Sequence, residues 1–140
     1  MRAALLAMVA MAGLSSVAYA ATEHYTAKMS TGQEVPPKPA GGSGTVDATL
    51  DPATHVLTYT ITFQGLTGPA TMAHFHGPAA AGTNSGVEIP TTGGVTSPVK
   101  GSATLTPALE KQLADGLLYV NVHTDANKAG EIRGQVLAAK

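Results

Sequence analysis

The sequence predicts an all-β fold, an antiparallel sandwich or barrel with one short helix in a connection. Short apolar/polar alternations recur along the chain, glycine, proline, asparagine and aspartate punctuate them at fairly regular intervals, and only one stretch has a helical pattern.

Ahead of the strands, "MRAALLAMVAMAGLSSVAYA" (residues 1–20) has the form of a secretory signal peptide. Arg2 supplies the positive start, Ala3 to Leu14 an apolar run, and Ala18-Tyr19-Ala20 a small-x-small cleavage site. The run is shorter than the roughly 20 apolar residues that span a bilayer as a retained helix. The expectation is therefore a periplasmic or secreted protein with no membrane span, its residues 21–140 forming a single domain.

The elements follow in order. In "TEHYTAKMS" (22–30) Tyr25, Ala27 and Met29 share one face and His24, Thr26 and Lys28 the other. "EVPPKPAGGSG" (34–44) has three prolines, each lacking a ladder donor, and reads as an extended loop or edge. "GTVDATL" (44–50) alternates Val46, Ala48 and Leu50 with polar residues. "DPAT" (51–54) turns, and "HVLTYTITF" (55–63) returns with Leu57, Tyr59, Ile61 and Phe63 opposite three threonines, making a hairpin of two half-buried strands.

"TMAHFH" (71–76) looks like the end of a fourth strand, after which Gly77 to Pro98 is a long glycine-containing connection with a short possible strand at Val87–Ile89. "VKGSATL" (99–105) is a weaker strand. "TPALEKQLADG" (106–116) is the helix: Thr106 caps it, Pro107 suits the first position, Leu109 and Leu113 share a face and Gly116 ends it. "LLYVNVH" (117–123) and "GEIRGQVL" (130–137) complete the strands.

With Arg2 removed, seven basic residues stand against nine acidic ones, and no basic cluster follows a phosphate backbone, which argues against nucleic acid as a partner. Cysteine is absent, so stability comes without disulfides, and any metal must be held by histidine, carboxylate or methionine. Tryptophan is absent too, leaving Val, Leu, Ile, Ala and Tyr to build most of the core.

The histidines carry the functional reading. Strand alternation turns Phe75 inward and His74, His76 and Met72 outward; it also turns Leu118, Val120 and Val122 inward and Tyr119, Asn121 and His123 outward. If these strands are neighbours, three imidazoles converge on one ion. Without thiolate the candidates are zinc, copper, nickel and iron, with copper favoured for an exported protein that has Met72 as a soft neighbour, and zinc as the competitor. His24 is a candidate fourth ligand, although a free surface position suits it as well, and His55 reads as a solvated strand end. Asn121, Asp125, Glu131 and loop carbonyls are candidates to orient the imidazoles. Glu131 and Arg133 read either as a solvated pair or, for Arg133, as a group that flanks the histidines and attracts a small anion.

The elements "EVPP", "AHFHGPA" and "YVNVHT…GEIRGQ", in that order, resemble the CHRD domain, found in chordin and in bacterial exported proteins, over roughly Tyr25 to Val136. The resemblance implies an immunoglobulin-like antiparallel β-sandwich of Greek-key type, and the family pattern falls here on Glu34, Pro36, His74, His76, Asn121, His123, Glu131 and Arg133. A looser resemblance links the H-x-H strand, the later histidine and the arginine to the copper side of copper/zinc superoxide dismutases. The chain lacks that family's disulfide and its histidine-rich zinc loop, so what carries over is at most a copper-only site. The leading expectation is an exported copper-binding domain, extended to a superoxide dismutase-like oxidoreductase if the site is open. The competing one is a non-enzymatic adhesion or interaction module with structural histidines. A hydrolase is a poor third, because no serine or cysteine nucleophile stands in a recognisable setting.

Overall fold

The computed structural model describes residues 20–39 and 41–140; all of the expected leader but Ala20 lies outside the described residues. Nine strands form: β1 (Glu23–Ser30), β2 (Ser43–Asp51), β3 (Val56–Gln64), β4 (Ala70–His76), β5 (Val87–Pro90), β6 (Val99–Thr104), β7 (Tyr119–Thr124), β8 (Ile132–Gln135) and β9 (Leu137–Ala138), with one α-helix, α1 (Pro107–Ala114), and a 3-10 turn at Thr31–Gln33. Every strand pairing is antiparallel. The all-β expectation with one helix holds, and the elements lie within two or three residues of where the alternation puts them.

The strands follow one path, β5-β4-β7-β8-β1-β2-β3-β6, with β9 joining β1. β1 pairs with β2 along its whole length but meets β8 only at Ser30–Arg133 and β9 at Tyr25 and Thr26. The sheet folds over at this thin seam. Gly134 lies on it, and a Cβ there would run into the Lys28 carbonyl of β1, so glycine is what lets the backbones close up.

Folding brings the two halves face to face. Tyr59 of β3 and Phe75 of β4, from opposite halves of the path, pack at a tilt of 59° with ring centroids 5.1 Å apart. Around them Leu57, Ile61, Val120, Val122 and Ile132 are fully buried. Each such side chain contributes about 1.5–3 kcal/mol of burial free energy. At the open end, the segment from β5 to β6 crosses the gap: Thr91 donates to the Ala73 carbonyl of β4, and the Thr92 amide donates to the Tyr59 hydroxyl of β3 at 3.0 Å. The result is a sandwich-like, nearly closed antiparallel sheet. Its hydrogen bonding does not establish the immunoglobulin-like Greek-key order.

α1 forms as the sequence predicts. The Thr106 hydroxyl accepts from the Leu109 amide at 3.3 Å, Pro107 occupies the first turn, Leu113 is buried, and Gly116 leaves the helix at φ +70°. Thr106→Ala is expected to lower stability by about 1 kcal/mol, read as a fall of roughly 4 °C in Tm. No shift in Tm would show that the cap contributes nothing. Among the described residues, no helix is long and apolar enough to cross a membrane.

The period-two reading misses one thing. Every residue of β7 is buried, including the polar positions Tyr119, Asn121 and His123. Two connections cover that face: residues 77–86 over Tyr119 and residues 125–131 over His123.

Candidate metal centre

β4 and β7 are neighbours with Met72 opposite His123, His74 opposite Asn121 and His76 opposite Tyr119. Paired residues in an antiparallel ladder point to the same face, so the histidines of both strands stand on the side away from Phe75 and Val122. His74 and His123 are diagonal neighbours, within reach of imidazole-length side chains. One ligand nitrogen from each of His74, His76 and His123 lies within 4.8 Å of the other two.

The closest pair, His74 Nδ1 and His123 Nε2, is 3.3 Å apart. An ion about 2.0–2.1 Å from each of its ligands in a tetrahedral shell separates neighbouring nitrogens by about 3.3–3.4 Å. Two of the three nitrogens are thus already at chelating separation, and a His76 nitrogen lies within 4.8 Å of both.

Hydrogen bonds decide which nitrogens are free. A carbonyl oxygen only accepts, so His76 Nδ1 donates to Ser85 O at 3.0 Å and His123 Nδ1 donates to Lys128 O at 2.9 Å. In each neutral ring Nε2 then carries the lone pair. His123 Nε2 accepts from His74 Nδ1, whereas His76 Nε2 is buried and has no partner. Backbone carbonyls fix both imidazoles, as one sequence alternative has it; Asp125 is exposed and Glu131 is engaged elsewhere.

Burial holds the His74 imidazole below its ordinary pKa, helped by the neighbouring His123 and His76. Burial also lowers His123, against the Lys128 carbonyl that favours its protonated form, with His76 adding to the lowering. Neutral imidazole is the form that ligates. Exposure across the cluster is uneven. His76 and His123 are 8% and 6% exposed, while His74 is half-buried and Met72, on the same strand face, is exposed.

Beneath His76 lies a stack that the sequence does not announce. The Tyr119 ring is parallel to the His76 ring, 5° off and 4.9 Å away, and the Arg133 guanidinium lies over the Tyr119 ring, 3.5 Å from its centroid. Arg133 is 1% exposed; it donates to Thr83 O at 2.7 Å, Asn84 Oδ1 at 3.0 Å and Ala80 O at 3.4 Å. Steering an anion needs a guanidinium open to solution, and this one is enclosed by loop acceptors.

Nor are Glu131 and Arg133 a solvated pair. Both are buried, and Glu131 instead accepts from Thr67, Thr124 and Asn127. His24 is exposed on β1 and does not join the cluster, so it is not the fourth ligand in this arrangement. His55 binds Glu110 at 2.6 Å beside α1, away from the site.

Behind Asn121 lies Glu34, 4% exposed. Its burial pushes the carboxyl above the ordinary carboxylate range, against the pull of Arg133, Lys38, the Val35 amide and Asn121. Gly130, at φ +125°, leaves the space these two side chains fill; a Cβ there would strike the Glu34 carboxylate.

Sequence reasoning finds the three histidines but not Ser85, Lys128 or Tyr119. The first two act through backbone carbonyls, which no residue type marks, and Tyr119 could have been singled out only by its sharing a face with His123.

No curated protein and no solved structure matches the chain. The family model described as the CHRD domain matches residues 25–136, a span that runs from β1 through β8 and includes all three histidines of the cluster. The chain belongs to the CHRD domain family.

Proposed function

We propose that this protein is an exported, periplasmic or secreted, copper-binding protein whose centre is His74, His76 and His123. The observation that carries the reading is the convergence of three imidazoles, of which His76 keeps its Nε2 buried without a partner. A buried acceptor left unpaired costs about 1–3 kcal/mol, and a metal ion turns that cost into a bond. Copper is favoured over zinc by the nitrogen-only set beside a thioether: Met72 stands opposite His123 and shares a strand face with His74 and His76.

Bound copper would supply one-electron chemistry toward a small oxidant such as superoxide. The chain's own part is to present His76 and His123 held by backbone carbonyls with His74 beside them, to keep water from the His76 and His123 side, and to leave access beside His74. Three ligands leave a coordination position open, which a superoxide dismutase-like activity requires. Arg133 is 1% exposed and its guanidinium is taken up by loop acceptors.

Copper titration of the mature chain is expected to saturate at one equivalent. At free copper about a hundredfold above Kd, linkage stabilises the fold by about 2.7 kcal/mol, read as a rise of roughly 10 °C in Tm. Binding of zinc but not copper would move the metal assignment. Binding of neither would leave the interaction module. Copper-loaded protein that dismutates superoxide no faster than free copper restricts the function to binding. Elemental analysis of the protein recovered from its exported compartment then identifies the resident metal.

A further inference from the structure

We propose that Arg133 is a positioning residue for His76: through Tyr119 and the 77–86 connection it holds the Ser85 carbonyl where it keeps the proton on Nδ1 and leaves Nε2 open. This rests on the three-histidine reading for its purpose, but the link from Arg133 to His76 can be tested without metal.

The connection has few bonds of its own. Within it run only the Thr83 amide to Ala80 O, the Gly77 amide to Gly86 O, and the Ser85 hydroxyl to Gly77 O. Its inner acceptors, at Ala80, Thr83 and Asn84, are gathered by one guanidinium. A planar fork can serve three acceptors in fixed directions while lying flat on an aromatic ring, which a lysine ammonium cannot do.

Ser85 is the next residue after Asn84, and Tyr119 grips it: the Ser85 amide donates to the Tyr119 hydroxyl at 3.1 Å, and that hydroxyl lies 3.2 Å from Ser85 O. The same Ser85 oxygen accepts from His76 Nδ1. Arg133 therefore acts on both sides of the imidazole's environment, pressing on the ring stacked against His76 and anchoring the loop that carries its acceptor.

Without that acceptor a neutral histidine in water has no reason to keep the Nδ1–H form. A released loop would let His76 carry its proton on Nε2, the atom the cluster needs unprotonated. Partners of this kind, one bond behind a metal ligand, typically change affinity by about 10–100-fold.

The test is long-range proton–nitrogen NMR of the metal-free protein at about pH 8.5, well above the ordinary imidazole pKa of about 6.5. Wild-type His76 is expected as a single Nδ1–H tautomer. Arg133→Met is expected to shift His76 toward Nε2–H and lower copper affinity about 10–100-fold, and Arg133→Lys should not restore either property. A folded Arg133→Met protein with His76 still wholly Nδ1–H overturns the proposal.

If that variant does not fold, Asn84→Ala decides, since Asn84 is exposed and loses only the Arg133 acceptor and its own bond to Val35 O. A partial tautomer shift supports the link, and an unchanged tautomer overturns it. A tautomer shift in a protein that never binds copper would instead overturn the proposed function and leave the positioning intact.

Discussion

Replacing His76 with alanine is expected to lower copper affinity by about two to three orders of magnitude. Structural zinc sites with four ligands bind with about 10–16 kcal/mol, which is about 2.5–4 kcal/mol per ligand, and each 1.4 kcal/mol is tenfold in Kd. The fold should survive. His76 lies on the face away from Phe75 and the main core, and its removal exposes the Tyr119 ring and the Ser85 carbonyl to water that can enter beside His74.

A competition titration against a chelator of known affinity reads the change directly. His123→Ala should lose as much, because His123 Nε2 belongs to the closest nitrogen pair. His24→Ala is the control: exposed on β1 and outside the cluster, it should leave affinity unchanged. Tight equimolar binding that persists in both His76→Ala and His123→Ala would falsify the three-histidine centre, and a loss in His24→Ala would point to a metal site on β1 instead.

Much of this arrangement was legible in the sequence because β-strands write their two faces into alternate residues. Val46, Ala48 and Leu50 are buried where alternation puts them, as are Leu57, Tyr59 and Ile61. The same rule gave His74, His76 and His123 a common face without any knowledge of pairing. What it could not give was the covering of that face.

Glu131 and Arg133 sit at outward positions, where charged residues ordinarily meet water, so alternation alone reads them as a solvated pair. Their partners are the reason it failed. Arg133 binds Thr83 and Asn84, about fifty positions earlier, and Glu131 binds Thr67, more than sixty earlier. Such contacts depend on where long connections return, and no local pattern encodes that. The carbonyls of Ser85 and Lys128 are harder still, since every residue has one.

Glu131→Gln is expected to destabilise the protein by about 2–4 kcal/mol at neutral pH, judged from about 1.5–3 kcal/mol for each hydrogen bond to a charged group. Tm should fall by roughly 10 °C. The carboxylate is 1% exposed and accepts from the Thr67 amide at 2.7 Å, the Thr67 and Thr124 hydroxyls at 2.6 Å each, and Asn127 Nδ2 at 3.1 Å. It thereby ties the β3–β4 connection, the end of β7 and the β7–β8 connection to one point. A glutamine of the same shape turns an NH2 toward groups that donate, so at least one donor loses its acceptor.

The pH dependence separates loss of charge from loss of shape. Burial alone would raise the Glu131 pKa, but the bonds from Thr124, Thr67 and Asn127 together outweigh it and hold the carboxyl below the ordinary range. With the folded value depressed, the carboxylate's contribution is complete above the unfolded pKa of about 4.3 and disappears as pH falls through the folded value. The stability gap between wild type and Glu131→Gln should therefore be widest near neutrality and narrow at acid pH, measured by denaturant unfolding at several pH values. A gap that stays constant to low pH would mean that the amide disturbs packing and the charge contributes little. The same variant reaches the metal centre indirectly: Lys128, whose carbonyl orients His123, lies in the connection that Glu131 holds. Copper affinity should drop together with stability in Glu131→Gln, and not at all in Thr106→Ala, where stability falls but nothing near the histidines is released.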